Sequence, residues 1–397
     1  MSDNLVIHGN VEAGFGPVAD AFRKNFTDSG EIGAALAIYQ GDRSLVDVWA
    51  GIRDRAGRLP WERDTLVPVF SSTKGMAAFV VAAAVSEGLL DYDAPVVQYW
   101  PEFGAHGKDR VTVRQLIDHQ AGLSGIDTPL RLDDLADLDA LGEVLAAQKP
   151  AWKPGARQGY HAITLGLYEG ELVRRVDPQR RSLGTIFAED FAAPLGLDFF
   201  IGLPAEQSMD RIATLNATRG FDIARHERDL PLRIGVELFL QRGLAHQALT
   251  NPRVGRPERA TRRKFLRVEM PGSNGVGTPR SLAKVYGAAA ANTGALPIKP
   301  ALIERLGSAE FSDDVPADDL ILHTRSRYHL GFRKSSPAFS FGSPGDRAYG
   351  TTGLGGSFGF ADPETGIGFG YAMNRLGLAI LDDARCRRLR RALMRSL

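Results

Sequence analysis

Ser71-Ser72-Thr73-Lys74 reads S-x-x-K where an apolar, strand-like approach (Leu66, Val67, Val69, Phe70) gives way to a helix apolar on every face. In a helix starting here, residues three apart share a face, so Lys74 Nζ can reach Ser71 Oγ. A serine hydroxyl becomes a useful nucleophile only when a neighbouring base takes its proton. A lysine serves as that base where its ammonium form is disfavoured, and burial disfavours it. The run from Met76 to Val85 has no polar face, the pattern of a helix inside a core. The helix N-terminus also offers unpaired N–H groups and partial positive charge to a developing oxyanion.

Two further segments have the character to complete a Ser71 site. Trp152-Lys153-Pro154-Gly155 precedes Tyr160-His161-Ala162 at the mouth of a helix. A tyrosine phenol that shares a proton with the lysine can act as general base or acid; the competing reading of Tyr160 is an aromatic packing residue. His161 reads as a loop histidine rather than a catalytic one. Thr351-Thr352-Gly353-Leu354 opens a glycine-rich strand whose edge could present the Leu354 N–H as a second oxyanion donor beside that of Ser71. One such donor is worth ~2.7–4 kcal/mol of barrier.

Two look-alikes are set aside. Ser281-Leu282-Ala283-Lys284 repeats S-x-x-K, but it follows Thr278-Pro279 and opens an amphipathic pattern, which reads as a capped surface helix. Gly355-Gly356-Ser357-Phe358-Gly359 matches G-x-S-x-G, yet a strand-and-turn pattern follows it, and no histidine occurs after His329. These glycines read as places of close backbone approach.

At 397 residues the chain exceeds the ~250–300 at which a single core stops growing, so two lobes are expected. A net charge of +1 gives no global reason to expect nucleic acid as a partner. The lone Cys386 excludes an intrachain disulfide framework, and the eight dispersed histidines form no zinc-binding pair; no metal or cofactor is called for. No secretory signal is visible from Met1, and the longest apolar run, about ten residues, is too short to span a bilayer. The expectation is a soluble, cytoplasmic protein.

The elements that must position these residues follow from periodicity. Val18, Phe22 and Phe26 form a helical stripe, and Ala34–Gln40, a turn at 41–43 and Leu45–Ala50 read as a hairpin. From Ser71 to about residue 320 the pattern is largely helical, with helices expected near 135–148, 162–176, 182–192 and 279–291. Thr112-Val113-Arg114-Gln115 is a capping box. The arginine-rich run 251–267 reads as a solvated loop. Strands return at 349–360 and 367–373 around a turn at 362–366, and a basic helix closes the chain from about 383 to 395. Strands at both ends imply one sheet closed by the two termini. A single catalytic domain is expected, with a sheet lobe (about 1–70 and 320–397) and an inserted helical lobe (about 71–319).

Phe70-Ser71-Ser72-Thr73-Lys74-Gly75, Gly88-Leu89-Leu90-Asp91-Tyr92-Asp93, the 113–123 segment, Trp152-Lys153-Pro154-Gly155 and Tyr160-His161 together resemble the class C β-lactamase-like serine hydrolases, most nearly the family VIII carboxylesterases. The likeness runs in order from about residue 15 to 390. It implies an α/β plus all-α, β-lactamase/transpeptidase-like fold. It also implies Ser71 as acyl-enzyme nucleophile, Lys74 and Tyr160 as its acid–base pair, and a third motif at 351–353. Two departures bear on the substrate. Ala162 stands where β-lactamases and D,D-peptidases carry asparagine, and Thr351 where they carry lysine, so contacts to an amide and to a carboxylate are missing. The expectation is an esterase on small carboxylic esters. The alternatives are an amidase, transacylase, D-amino-acid peptidase or weak β-lactamase on the same machinery, or a non-catalytic binding scaffold.

Overall fold

The computed structural model describes residues 5–397 apart from 55, 218–231, 254, 312, 313, 337, 338 and 380. Its main sheet is antiparallel and joins the two ends of the chain. Strands β1 (Ile7–Val11), β2 (Gly33–Gln40) and β3 (Arg43–Gly51) supply one half. The other half is β8 (Tyr328–His329), β9 (Phe332–Lys334), β10 (Tyr349–Thr352), β11 (Phe358–Asp362) and β12 (Ile367–Met373). The order is β1-β3-β2-β12-β11-β10-β9-β8, so the seam between the termini is the β2–β12 pair, in register from Ala34↔Met373 to Gln40↔Ile367. The hairpin turn at Gly41 and the 362–366 turn meet there, where the Gly41 N–H donates to the Gly366 carbonyl.

One face of the sheet is covered by helix α1 (Gly16–Ser29) and the C-terminal helix α9 (Ala384–Ser396), which pack on each other. Val18 and Phe22 of the α1 stripe are fully buried, as their spacing predicts. On the other face lies α8 (Pro279–Ala290), directly on β12, β2 and β11. Glycines permit this contact: a side chain at Gly368 would stand 1.9 Å from the Gly287 nitrogen, and one at Gly370 would stand 2.2 Å from the Pro279 carbonyl oxygen. The second S-x-x-K sits at the start of α8. There Ser281 Oγ accepts from the Asp198 N–H (2.9 Å) and shares a hydrogen bond with Thr278 Oγ1 (2.9 Å), so the expected helix start forms. The helix is not the surface helix expected, however: pressed on the sheet, it is buried except at Arg280 and Lys284.

Between the sheet halves run α2 (Thr73–Ser86), α3 (Val113–Ile117), α4 (Leu138–Ala147), α5 (Thr164–Val176), α6 (Leu232–Phe239) and α7 (Leu244–Thr250). The capping box forms at α3: Thr112 Oγ1 accepts from the Gln115 N–H and Gln115 Oε1 from the Thr112 N–H, both at 3.1 Å. The helix expected at 182–192 is split into Leu183–Ile186 and a wider turn at Phe187–Ala192. Three short strands interrupt the helical region. β5 (Phe199–Phe200) and β7 (Gly275–Gly277) join β4 (Val67–Phe70) in a second sheet, while β6 (Asn216–Ala217) pairs in parallel with β13 (Arg375–Leu376). The arginine-rich run is more ordered than a solvated loop. Arg263–Arg267 is a helical turn that buries Phe265 and Leu266, with Lys264 paired to Asp133 at 2.7 Å.

Candidate active site

Strand β4 delivers the chain to α2 through a single strained residue. Phe70 has φ of 48°, the left-handed region that side chains other than glycine rarely adopt, at a cost of ~1–3 kcal/mol. The turn is pinned from both sides: Thr73 Oγ1 donates to the Phe70 carbonyl (2.5 Å) and accepts from the Gly275 N–H of β7 (2.8 Å). Ser71 stands at its apex, immediately before the helix. Every α2 residue but Val85 is buried, Lys74 among them at 2% exposure. Gly75 is required by a neighbour rather than by the helix, since a side chain there would meet the Tyr286 hydroxyl at 1.9 Å.

Lys74 Nζ lies 3.2 Å from Ser71 Oγ and donates to the carbonyls of Ala162 (2.5 Å) and Gly272 (2.6 Å). Gly272 was not apparent from the sequence. It reaches the site because its loop packs on α5, where a side chain at Gly166 would stand 1.9 Å from the Gly272 nitrogen. Tyr160 is brought alongside, with its ring centroid 4.9 Å from Lys74 Nζ.

Tyr160 is held by residues far away in the chain. Its N–H donates to Asp319 Oδ1 at 3.0 Å, and the same oxygen accepts from the N–H groups of Ile321 and Leu322. Asp319 Oδ2 accepts from the Tyr328 hydroxyl at 2.9 Å, which in turn accepts from Arg333 at 3.1 Å. The Tyr328 ring stacks on Tyr160 at 16°, and the buried Arg333 guanidinium covers both rings, 5.0 Å from the Tyr328 centroid and 5.7 Å from that of Tyr160.

His161 is fully buried, with both ring nitrogens engaged by main chain. Its Nε2 accepts from the Leu123 N–H (2.9 Å), so Nδ1 carries the ring hydrogen and donates it to the Gly159 carbonyl (2.7 Å). Burial pushes its pKa down to about 4, against the Gly159 hydrogen bond that raises it; the Lys74 charge adds to the lowering. His119, also buried, accepts from the His161 N–H at Nδ1 and is likewise held well below the usual imidazole range, first by burial.

The end of β10 abuts the Ser71 turn. A side chain at Gly353 would stand 2.2 Å from the Val69 carbonyl oxygen and 3.1 Å from Ser72 Oγ. Thr351 turns its hydroxyl away from Ser71: Oγ1 donates to the Ser72 carbonyl and shares a hydrogen bond with the Tyr286 hydroxyl, both 3.1 Å. Thr352, half-buried, lies on the other face of the strand. Leu354 is 43% exposed. Among the described residues neither its N–H nor that of Ser71 has a hydrogen-bond acceptor. Ser357, the centre of the G-x-S-x-G look-alike, is buried and donates to the Val69 carbonyl at 2.7 Å, so its hydroxyl braces the turn.

Helices α6 and α7 form a cap on the second motif. Ile234, Leu238, Ala245 and Ala248 pack with Tyr160, Ala162 and Ile321 in one apolar cluster. The cap is tied down by Glu237 to His323 (3.0 Å) and by Gln247 to Asp127 (2.7 Å). Among the described residues, no cluster of three or more His, Cys, Asp or Glu could hold a metal, and no helix is long and apolar enough to cross a membrane.

The beta-lactamase family profile matches residues 18–392. The chain belongs to the beta-lactamase family. Within it, the chain is 37% identical over 387 residues to the esterase/beta-lactamase LipL of Mycobacterium tuberculosis, covering 93% of this chain and 83% of that one. Among solved structures, a family VIII carboxylesterase superposes with a TM-score of 0.86 at 38% identity, over 99% of this chain and 100% of the other. A penicillin-binding protein homologue from Caulobacter crescentus follows with a TM-score of 0.85 at 37% identity, over the same shares. The expected fold is therefore the observed one: a β-lactamase-type antiparallel sheet flanked by helices.

Proposed function

We propose that this protein is a serine carboxylesterase that cleaves small carboxylic esters through an acyl-enzyme on Ser71. The observation that carries the reading is the environment of Lys74. Two carbonyls, at 2.5 and 2.6 Å, take two hydrogens of the amine, and the remaining direction leads to Ser71 Oγ at 3.2 Å. A neutral amine so held directs its lone pair at the serine hydroxyl.

In the proposed cycle, Ser71 Oγ attacks the ester carbonyl carbon while its proton passes to the Lys74–Tyr160 pair. The N–H groups of Ser71 and Leu354, without other acceptors among the described residues, stabilise the tetrahedral oxyanion. Collapse breaks the carbon–oxygen bond to the alcohol, which leaves with the proton returned by the pair. Water then attacks the acyl-enzyme, giving its proton to the same pair, and the carboxylic acid departs as Ser71 regains its hydrogen.

Two features favour an ester over a peptide or β-lactam. Ala162 offers no amide and is enclosed by the α6–α7 cap, and Thr351 is uncharged with its hydroxyl bound internally. The relatives named esterase and carboxylesterase support this reading. The double name of LipL favours a second, weaker activity on β-lactams by the same acyl-enzyme chemistry. The test is burst release of alcohol from a chromogenic short-chain ester, with amide and β-lactam substrates run beside it. Ser71→Ala is expected to abolish the burst; full activity in that variant would overturn the assignment.

A further inference from the structure

Helix α6 of the cap is apolar on two sides. Its inner side, Ile234 and Leu238, packs with Tyr160 and Ala162. Its outer side is bare. Among the described residues seven large apolar side chains are exposed, and three of them, Val236 (45%), Phe239 (85%) and Leu240 (45%), stand within five residues. A helix without a wholly polar side belongs inside a core or against an apolar phase, and clustered exposed apolar groups mark a contact site.

The charges beside this cluster are mostly positive. Val236 and Leu240 line a surface hollow with Arg233, Glu237, Arg242 and Gly243. The acid in that hollow is already engaged: Glu237 accepts from the Ala245 N–H (2.9 Å), meets His323 (3.0 Å) and pairs with Arg233 (3.4 Å). Arg242 is exposed and has no carboxylate partner among the described residues.

Positive charge continues past the cap. Helix α7 is about 10 Å long, and the arginine-rich run begins where it ends. The start of the run is anchored: Asn251 Nδ2 donates to the Ile126 and Thr128 carbonyls (2.7 and 2.8 Å), and the Arg253 N–H donates to the Leu130 carbonyl (3.2 Å). Arg253, Arg256, Arg259 and Arg262 are exposed, and among the described residues none has a carboxylate within ion-pair distance. The run itself holds one acid, Glu258. Of the acids on the adjoining loop, Asp127 is taken by Gln247 (2.7 Å) and Gln148 (3.0 Å), and Asp133 by Lys264 (2.7 Å).

We propose that the α6–α7 tip is a docking surface for an anionic lipid bilayer. Phe239, Leu240 and Val236 enter the acyl boundary, while Arg242 and the arginines of the run meet headgroup phosphates. An anionic polymer such as nucleic acid matches the arginines but leaves the apolar tip in water. No helix among the described residues is long and apolar enough to cross a membrane, so this contact lies in the interface plane. Under the esterase reading above, docking places the enzyme where apolar esters collect; the docking itself needs no activity.

The test is co-sedimentation of the full-length protein with vesicles of phosphatidylglycerol and phosphatidylcholine in equal parts, beside vesicles of phosphatidylcholine alone. Wild type is expected on the mixed vesicles, far less on the neutral ones, and to come off as salt screens the charges. Phe239→Ser should weaken binding about tenfold, and Arg256→Gln and Arg259→Gln about fivefold each. All three side chains are exposed, so the variants should keep the wild-type denaturant midpoint. No binding by wild type, or equal binding by Phe239→Ser, would overturn the proposal. So would a dimer of the lipid-free protein that Phe239→Ser dissociates, since the occupant would then be a second copy. Ser71→Ala is expected to bind vesicles as wild type does, so failure of the esterase reading would leave this result standing.

Discussion

Acid should loosen the second motif through His161, by an amount that its surroundings set. The ring bridges Leu123 and Gly159 as donor and acceptor, and protonation forces Nε2 to give up the Leu123 N–H. The folded protein takes that proton only near pH 4, whereas an exposed imidazole takes it near 6.5. Between these values the unfolded chain binds more protons, so stability is complete above about pH 6.5 and falls as the pH drops. At ~1.4 kcal/mol per pH unit the full gap is worth roughly 3 kcal/mol, and about 2 kcal/mol of it is already lost near pH 5. His161→Gln tests this, because the amide can accept from Leu123 and donate to Gly159 without titrating. Denaturant unfolding of both proteins at about pH 7 and pH 5 should show wild type losing roughly 2 kcal/mol more than the variant. His329, also lowered by burial, steepens both curves equally and cancels in the difference, whereas His119 cancels only in part, because the His161 charge is the second cause of its lowering after burial. Parallel stability curves would refute the reasoning. Because Tyr160 precedes His161, ester hydrolysis by wild type should fail over the same interval.

Lys74→Arg should be nearly as damaging as Lys74→Ala. The carbonyls at 2.5 and 2.6 Å enclose an ammonium-sized head, and a guanidinium is both larger and always protonated. An arginine variant whose kcat/KM on one ester stays within about tenfold of wild type, ~1.4 kcal/mol of barrier, would exclude proton transfer through residue 74. Gly75→Ala should destabilise by ~1–3 kcal/mol despite the ~1 kcal/mol gain in helix propensity, because the new Cβ overlaps the Tyr286 hydroxyl. A higher denaturant midpoint in that variant would show the Gly75–Tyr286 packing to be wrongly described.

The S-x-x-K spacing and the unbroken apolar run behind it were legible because both are local. Residues three apart on a helix must meet, and a helix with no polar face must be buried, so Ser71 and Lys74 come together before any other element is known. The capping box at Thr112 and the turn between β11 and β12 belong to the same class, in which side chains satisfy the backbone a few residues away. Tertiary structure alone decided the rest. Gly272 reaches Lys74 across 198 residues and Asp319 reaches Tyr160 across 159, and no periodicity spans such intervals. The same holds for the Arg333 guanidinium over the Tyr160 ring, for the α6–α7 cap on Ala162 and for the inward turn of the Thr351 hydroxyl. A glycine carbonyl or a buried aspartate carries no local mark of the group it will meet. The sequence determined which groups meet at the start of the apolar helix, through helix geometry and burial; their acceptors, orientation and covering were settled only when the sheet joined both ends of the chain and brought distant loops onto one helix.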